Sequence, residues 1–195
     1  MAEIKSTMEM VMERAARIAA RTDETPGSDN HEESGMRLAA RFMNNEINDL
    51  GQALSEQDPA HQMGMRRGMA QTLLRNIVLP RDEMLLANSL RAMQGLLSME
   101  QNAGDMATVC GELQQILEQY GDHKTQMKQQ LEDAIRTQLE QKNGGQTALA
   151  GEPMAMNPAL HPQFQTEWAK MLDSLNSQYG QALDQRKDIL NQRFS

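Results

Sequence analysis

The sequence predicts an all-α protein, a helical bundle or set of helical hairpins that includes a long heptad-patterned, coiled-coil-like helix pair. Three observations lead there. Met supplies 17 of the 195 residues and Gln 21, and both are good helix formers. Aromatic residues make up only 3%, and no segment alternates apolar and polar residues with the β-branched and aromatic chemistry of a half-buried strand. Apolar residues instead recur at spacings of three and four along most of the chain, the period of a helix face.

Ser6-Thr7-Met8-Glu9 has the form of a capping box, and Ile4, Met8, Val11, Ala15 and Ile18 then form one stripe, so an amphipathic helix is expected over 1–21. Residues 22–34 contain Pro26, Gly27, Asp23, Glu24, Asp29, Glu32 and Glu33 without a basic residue, and read as a flexible acidic linker. A helix over 33–56 follows from Met36, Ala40, Met43, Ile47, Leu50 and Leu54. Asp58-Pro59 is a stop and a restart, with Asp58 as N-cap and Pro59 at the first helical position, where its missing donor costs nothing. The next helix buries Met65, Met69, Leu73 and Ile77. Pro80 ends it, Asp82 and Glu83 favour a new N-terminus, and the helix that follows is expected to bury Leu86, Leu90, Met93 and Leu97.

The longest pattern covers 105–142: Met106, Cys110, Leu113, Leu117, Tyr120, Met127, Leu131 and Ile135, with Lys124 interrupting and Gly121 as a point of bending. A rod of that length needs a partner, since isolated helices gain little from propensity alone. Asn143-Gly144-Gly145 closes it, a Gly/Pro loop runs over 143–161, and a last helix over 162–195 carries Phe164, Trp168, Met171, Leu175, Tyr179, Ala182 and Leu190. The organisation is thus 1–21, 22–34, a bundle region over 35–142, the loop 143–161 and the C-terminal helix, with the two long helices pairing antiparallel.

Composition limits the function. A formal net charge of -8 disfavours nucleic acid as a partner. One cysteine, Cys110, excludes an internal disulfide framework and a cysteine-only zinc site. The absence of a spanning apolar run predicts no membrane insertion, and the absence of a signal-type start predicts a cytoplasmic protein.

The opening Ala2-Glu3-Ile4-Lys5-Ser6-Thr7 with Glu13-Arg14, the mid-chain Leu79-Pro80-Arg81-Asp82, Gly144-Gly145, Asn157-Pro158 and Trp168 before the final helix resemble an uncharacterised bacterial family of helical proteins carrying a domain-of-unknown-function label. The resemblance implies a helical cytoplasmic protein. It brings no activity, substrate or site.

Local chemistry is sparse. His31, His61, His123 and His161 are scattered, and none has a second histidine or a Glu-x-x-His partner at ligand spacing. Solvation or capping suits them better than metal ligation. Cys110 falls on an apolar stripe, where a thiol is packing. The Gly144-Gly145 segment lacks the Lys-Ser/Thr ending of a phosphate loop. Between residues 61 and 81, Arg66, Arg67, Arg75 and Arg81 occur without an acid. They form a candidate basic patch for phosphate or an acidic partner, read more simply as a solvated face. Met154 and Met156 are the one methionine pair placed to chelate a soft ion, and core packing explains most of the others.

No enzymatic activity and no cofactor are expected. The sequence points to a helical interaction or scaffolding protein that self-associates, as a homo-oligomer, or docks a partner helix. The contact residues expected are Leu113, Leu117, Tyr120, Met127, Leu131, Trp168, Leu175 and Tyr179. The alternative is a chaperone or adaptor with a Met-rich groove for amphipathic client segments.

Overall fold

The architecture begins with how each helix is started and stopped. The computed structural model describes residues 28–100, 104–143 and 158–194. Among them are α1 (Ser28–Met43), α2 (Leu50–Ser55), α3 (Pro59–Asn76), α4 (Glu83–Ser98), α5 (Gly104–Asn143), a single 3-10 turn (Pro158–Leu160) and α6 (Pro162–Phe194). The described residues contain no strand. The expected helix over 1–21, the linker as far as residue 27, Gly144-Gly145, Met154 and Met156 lie outside the described residues.

Aspartates start three of these helices. Asp49, Asp58 and Asp82 accept from the backbone N–H of Gln52, Ala60 and Leu85 at 3.0, 2.9 and 2.9 Å, satisfying donors that the first turn leaves open. Asp58-Pro59 and Asp82-Glu83 therefore act as their sequence predicts.

Two expectations about the first third are corrected. α1 starts at Ser28, inside the segment read as linker; Glu32 and Glu33 near its N-terminus suit the helix dipole, and Glu33 pairs with Arg37 one turn on at 2.6 Å. The continuous helix over 33–56 is broken after Met43. Asn45 takes φ 64, Glu46 N–H bonds Arg41 O at 2.9 Å and Asn45 N–H bonds Phe42 O at 3.0 Å. This is a Schellman ending with Asn in the left-handed position. The spacing of Met43, Ile47, Leu50 and Leu54 runs through that break without marking it.

The chain divides into two compact units, and the division falls within α4. The described residues of the first are 28–76, 92–100 and 194. Its core holds Ala39, Phe42, Leu50, Leu54, Met65, Met69, Leu73, Met93, Leu96 and Met99, all buried. Small residues decide which helix faces go inward. A Cβ on Gly35 of α1 would strike the Met65 backbone carbonyl, and one on Gly68 of α3 would strike that of Glu32, so the two helices meet backbone to backbone. On α4 a Cβ at Gly95 would come within 2.8 Å of the Phe42 ring.

The buried faces are thereby turned from those expected. α1 buries Gly35, Ala39 and Phe42 in place of Met36, Ala40 and Met43. α4 buries Ser89, Ala92, Met93 and Leu96, with Met99 buried just past its end, while Leu86, Leu90 and Leu97 are only half-buried. Close approach along a row of small residues brings more atoms into contact than the bulkier neighbouring face allows.

The described residues of the second unit are 77–91, 104–143 and 158–193. Its frame is an antiparallel hairpin of α5 and α6. Asp105 meets Arg193 at 4.0 Å, Glu112 meets Arg186 at 2.9 Å, Tyr120 meets Asn176 at 2.8 Å, and Tyr179 meets His123 at 3.4 Å. From 105 to 120 on α5 the partner on α6 falls from 193 to 176, and His123 reaches back one turn to Tyr179. The two long helices thus pair within one chain, each within a residue or so of its expected limits. Their seam buries Met106, Cys110, Leu113, Leu117, Tyr120 and Ile135 from α5 and Phe164, Leu175, Leu183 and Leu190 from α6.

The connector before α4 is pinned to this unit by its backbone. Lys187 Nζ donates to Ile77 O at 3.1 Å and Lys124 Nζ to Arg81 O at 3.3 Å. The wholly buried Ser89 hydroxyl accepts from Val78 N–H at 3.2 Å and lies 3.3 Å from Val78 O.

Candidate functional site

An open cleft of about 720 Å³ lies in the second unit. One wall is the connector and first turn of α4: Pro80, Arg81, Asp82, Glu83 and Leu86. The other is a face of α5 made by Leu117, Glu118, Gly121, Asp122, Lys124, Thr125 and Lys128, with Trp168 of α6 at its side. Those α5 positions recur at three and four residues, so one helical face presents them all.

The cleft is apolar at its base and charged on its rim. Leu117 is fully buried and Leu86 and Trp168 half-buried, the Trp168 ring being stacked at 6.3 Å on that of Phe164. The lining carries Arg81, Lys124 and Lys128 together with Asp82, Glu83, Glu118 and Asp122. Gly121 lines the cleft without a side chain, and a Cβ there would find no atom within 4 Å.

Tyr120 backs this wall. Its hydroxyl donates to Asn176, and Lys124 Nζ lies 5.8 Å from its ring centroid. Burial pushes the phenol above its ordinary range, with the Arg81 charge opposing.

The expected contact residues divide. Leu113, Leu117, Tyr120 and Leu175 are buried by this chain's own hairpin, because α6 covers the stripe that a partner would have used. Met127, Leu131, Trp168 and Tyr179 remain half-exposed. Three of the four candidate arginines, Arg66, Arg67 and Arg75, lie on α3. Arg66 and Arg75 on α3 point about 180° apart at about 100° per residue, and Arg66 meets Glu100 at 3.5 Å. Arg67 and Arg75 are exposed, and Arg81 belongs to the other unit.

Histidines and the thiol have structural surroundings. The His31 and His61 rings stack with centroids 3.7 Å apart, His123 contacts Tyr179, and His161 Nδ1 caps α6 by accepting from Gln163 N–H at 3.3 Å. Among the described residues there is no group of three or more His, Cys, Asp or Glu able to hold a metal ion. Burial pushes the Cys110 thiol up to about 11, which withholds the thiolate needed for nucleophilic chemistry. Of the described methionines, Met65, Met69, Met93, Met99 and Met106 are core, and Met63 and Met84 are exposed at 79% and 73%. None lines the cleft.

Sequence reasoning named Leu117, Trp168 and Arg81 but not the polar remainder of the cleft. The available signal was the pair of irregularities in the heptad pattern, Gly121 and Lys124, which mark where α5 stops facing α6 alone.

These features define a class: an all-helical protein with an intrachain antiparallel helix pair and a mixed-charge cleft on its side. Among the described residues no helix is long and apolar enough to cross a membrane. The chain belongs to the family of unknown function DUF6657, which matches residues 51–192. That span takes in Leu79-Pro80-Arg81-Asp82, Gly144-Gly145, Asn157-Pro158 and Trp168, and leaves out Ala2–Thr7 and Glu13-Arg14. No curated protein and no solved structure matches the chain.

Proposed function

We propose that this protein is a non-enzymatic, cytoplasmic helical scaffold that docks an amphipathic helix, from a partner or from a second copy, in the cleft between the start of α4 and α5. In this reading α5 and α6 pack as a heptad coiled coil and supply a rigid frame, and no cofactor takes part. The observation that carries it is Gly121, which lines the cleft without a side chain, together with the apolar base and charged rim. A helix lying there covers Leu86 and Trp168 while its polar flanks meet charges of both signs, the combination of anchor and rim that helix-in-groove recognition uses.

The test is a photo-cross-linking residue placed at Lys128, inside the cleft, or at Gln126, on the outer side of α5. Cross-links to protein from position 128 but not from 126 support docking. Equal labelling, or none, overturns it. A second reading, client capture through thioethers, is favoured only by the exposure of Met63 and Met84. Client binding that persists after mild peroxide oxidation of both would remove it.

A further inference from the structure

We propose that the helix received by the cleft is α5 of a second copy, the two α5 helices crossing antiparallel about a two-fold axis at Gly121, with Glu118 of each copy paired to Lys124 of the other. This inference rests on the helix-docking reading above and names the docked helix.

Gly121 makes the crossing sterically possible. The first unit shows how this chain uses helical glycines: Gly35 and Gly68 lie where two helix backbones touch. Gly121 has no such neighbour in this chain: nothing lies within 4 Å of its Cβ position, and it lines the cleft. With no side chain there, a second backbone can come close, and an antiparallel two-fold contact puts Gly121 of one helix against Gly121 of the other.

Charge supplies the register. In an isologous antiparallel crossing, residues equally far before and after the centre come within reach of each other. Glu118 lies three residues before Gly121 and Lys124 three after, with opposite signs, so one axis creates two equivalent ion pairs. Within the chain both have neutral partners: Glu118 accepts from Gln114 Nε2 at 2.8 Å, and Lys124 donates to the Arg81 carbonyl at 3.3 Å. A parallel crossing would set Glu118 against Glu118 and Lys124 against Lys124. The pattern thus selects one orientation and excludes the other.

The experiment is the solution mass of the full chain by light scattering over a range of concentrations, for the natural sequence, Glu118→Lys, Lys124→Glu, the double variant and Gly121→Leu, with helix content checked by circular dichroism. Each single reversal puts like charges together and is expected to weaken dimerisation about tenfold or more. The double variant restores the pairs and the natural mass, and Gly121→Leu blocks the close approach and gives monomer. A dimer indifferent to both reversals overturns the proposal by assigning self-association to another surface. A monomer at every concentration up to about 100 µM, a weak affinity by any standard, also overturns it. The helix-docking reading then stands or falls separately, on whether position 128 cross-links to a foreign protein.

Discussion

Tyr120 and Asn176 join the two long helices near the middle of the hairpin by a 2.8 Å bond from the phenol to the amide oxygen. Tyr120 is 3% exposed and Asn176 faces water, so the two ends of this bond are unequal. It is a polar contact within an apolar seam, and it sets where one helix lies against the other.

That asymmetry gives the first prediction. Tyr120→Phe leaves an amide that water can satisfy and should cost about 0.5–1.5 kcal/mol, whereas Asn176→Ala strands a buried hydroxyl and should cost about 1–3 kcal/mol. Urea unfolding of both variants measures the difference. An equal or reversed order would mean that the phenol is solvated through another route.

Helical glycines should divide by position. Gly35→Ala and Gly68→Ala force a methyl into a facing backbone carbonyl and should each destabilise by at least about 2 kcal/mol. Gly111→Ala and Gly180→Ala meet nothing within 4 Å and should stabilise by about 0.5–1 kcal/mol, since alanine is the better helix former. Thermal unfolding of the four variants decides it.

The ending of α1 depends on the left-handed conformation of Asn45, φ 64. Asn45→Gly should be neutral or slightly stabilising, and Asn45→Val should cost about 1–2 kcal/mol, because a β-branched side chain resists that geometry. Chemical denaturation of the pair is sufficient. Equal stability would show that the turn rearranges.

Cys110 makes stability depend on alkaline pH. Its thiol is raised from 9.0 to about 11 in the folded protein by burial. The protonated form is thus favoured by folding, and the contribution is fully present below pH 9 and lost as pH rises towards 11. The loss should be about 2–3 kcal/mol. Cys110→Ala should flatten stability between those limits, as read by denaturant midpoints. Alkylation of the native thiol should be limited by unfolding, and rapid labelling at pH 8 would contradict its burial.

Much of the helical framework is legible in the sequence because aspartate caps and prolines act locally. Asp58-Pro59, Pro80 with Asp82, and the limits of the two long helices need only the first turn and the apolar period to be recognised. The break at Asn45 escapes because a Schellman ending is a backbone event and the spacing of Met43, Ile47 and Leu50 continues through it. The buried faces of α1 and α4 escape for a different reason. Hydrophobic periodicity weights large side chains, whereas Gly35, Gly68 and Gly95 determine contact by what they lack. The cleft follows the same logic, since Gly121 reads as a bend in the sequence and in the fold lines the cleft without a side chain.

The bond from Lys187 to the Ile77 carbonyl joins positions 110 residues apart. On the ribosome, where chains lengthen by about 5–20 residues per second, the connector emerges many seconds before the lysine that holds it. Ile77, fully buried in the finished protein, must pass that interval without its final neighbours. The second unit therefore completes only after α6 has emerged, and a nascent chain paused before Lys187 would present the connector and the start of α4 as an unfinished surface for chaperones or proteases.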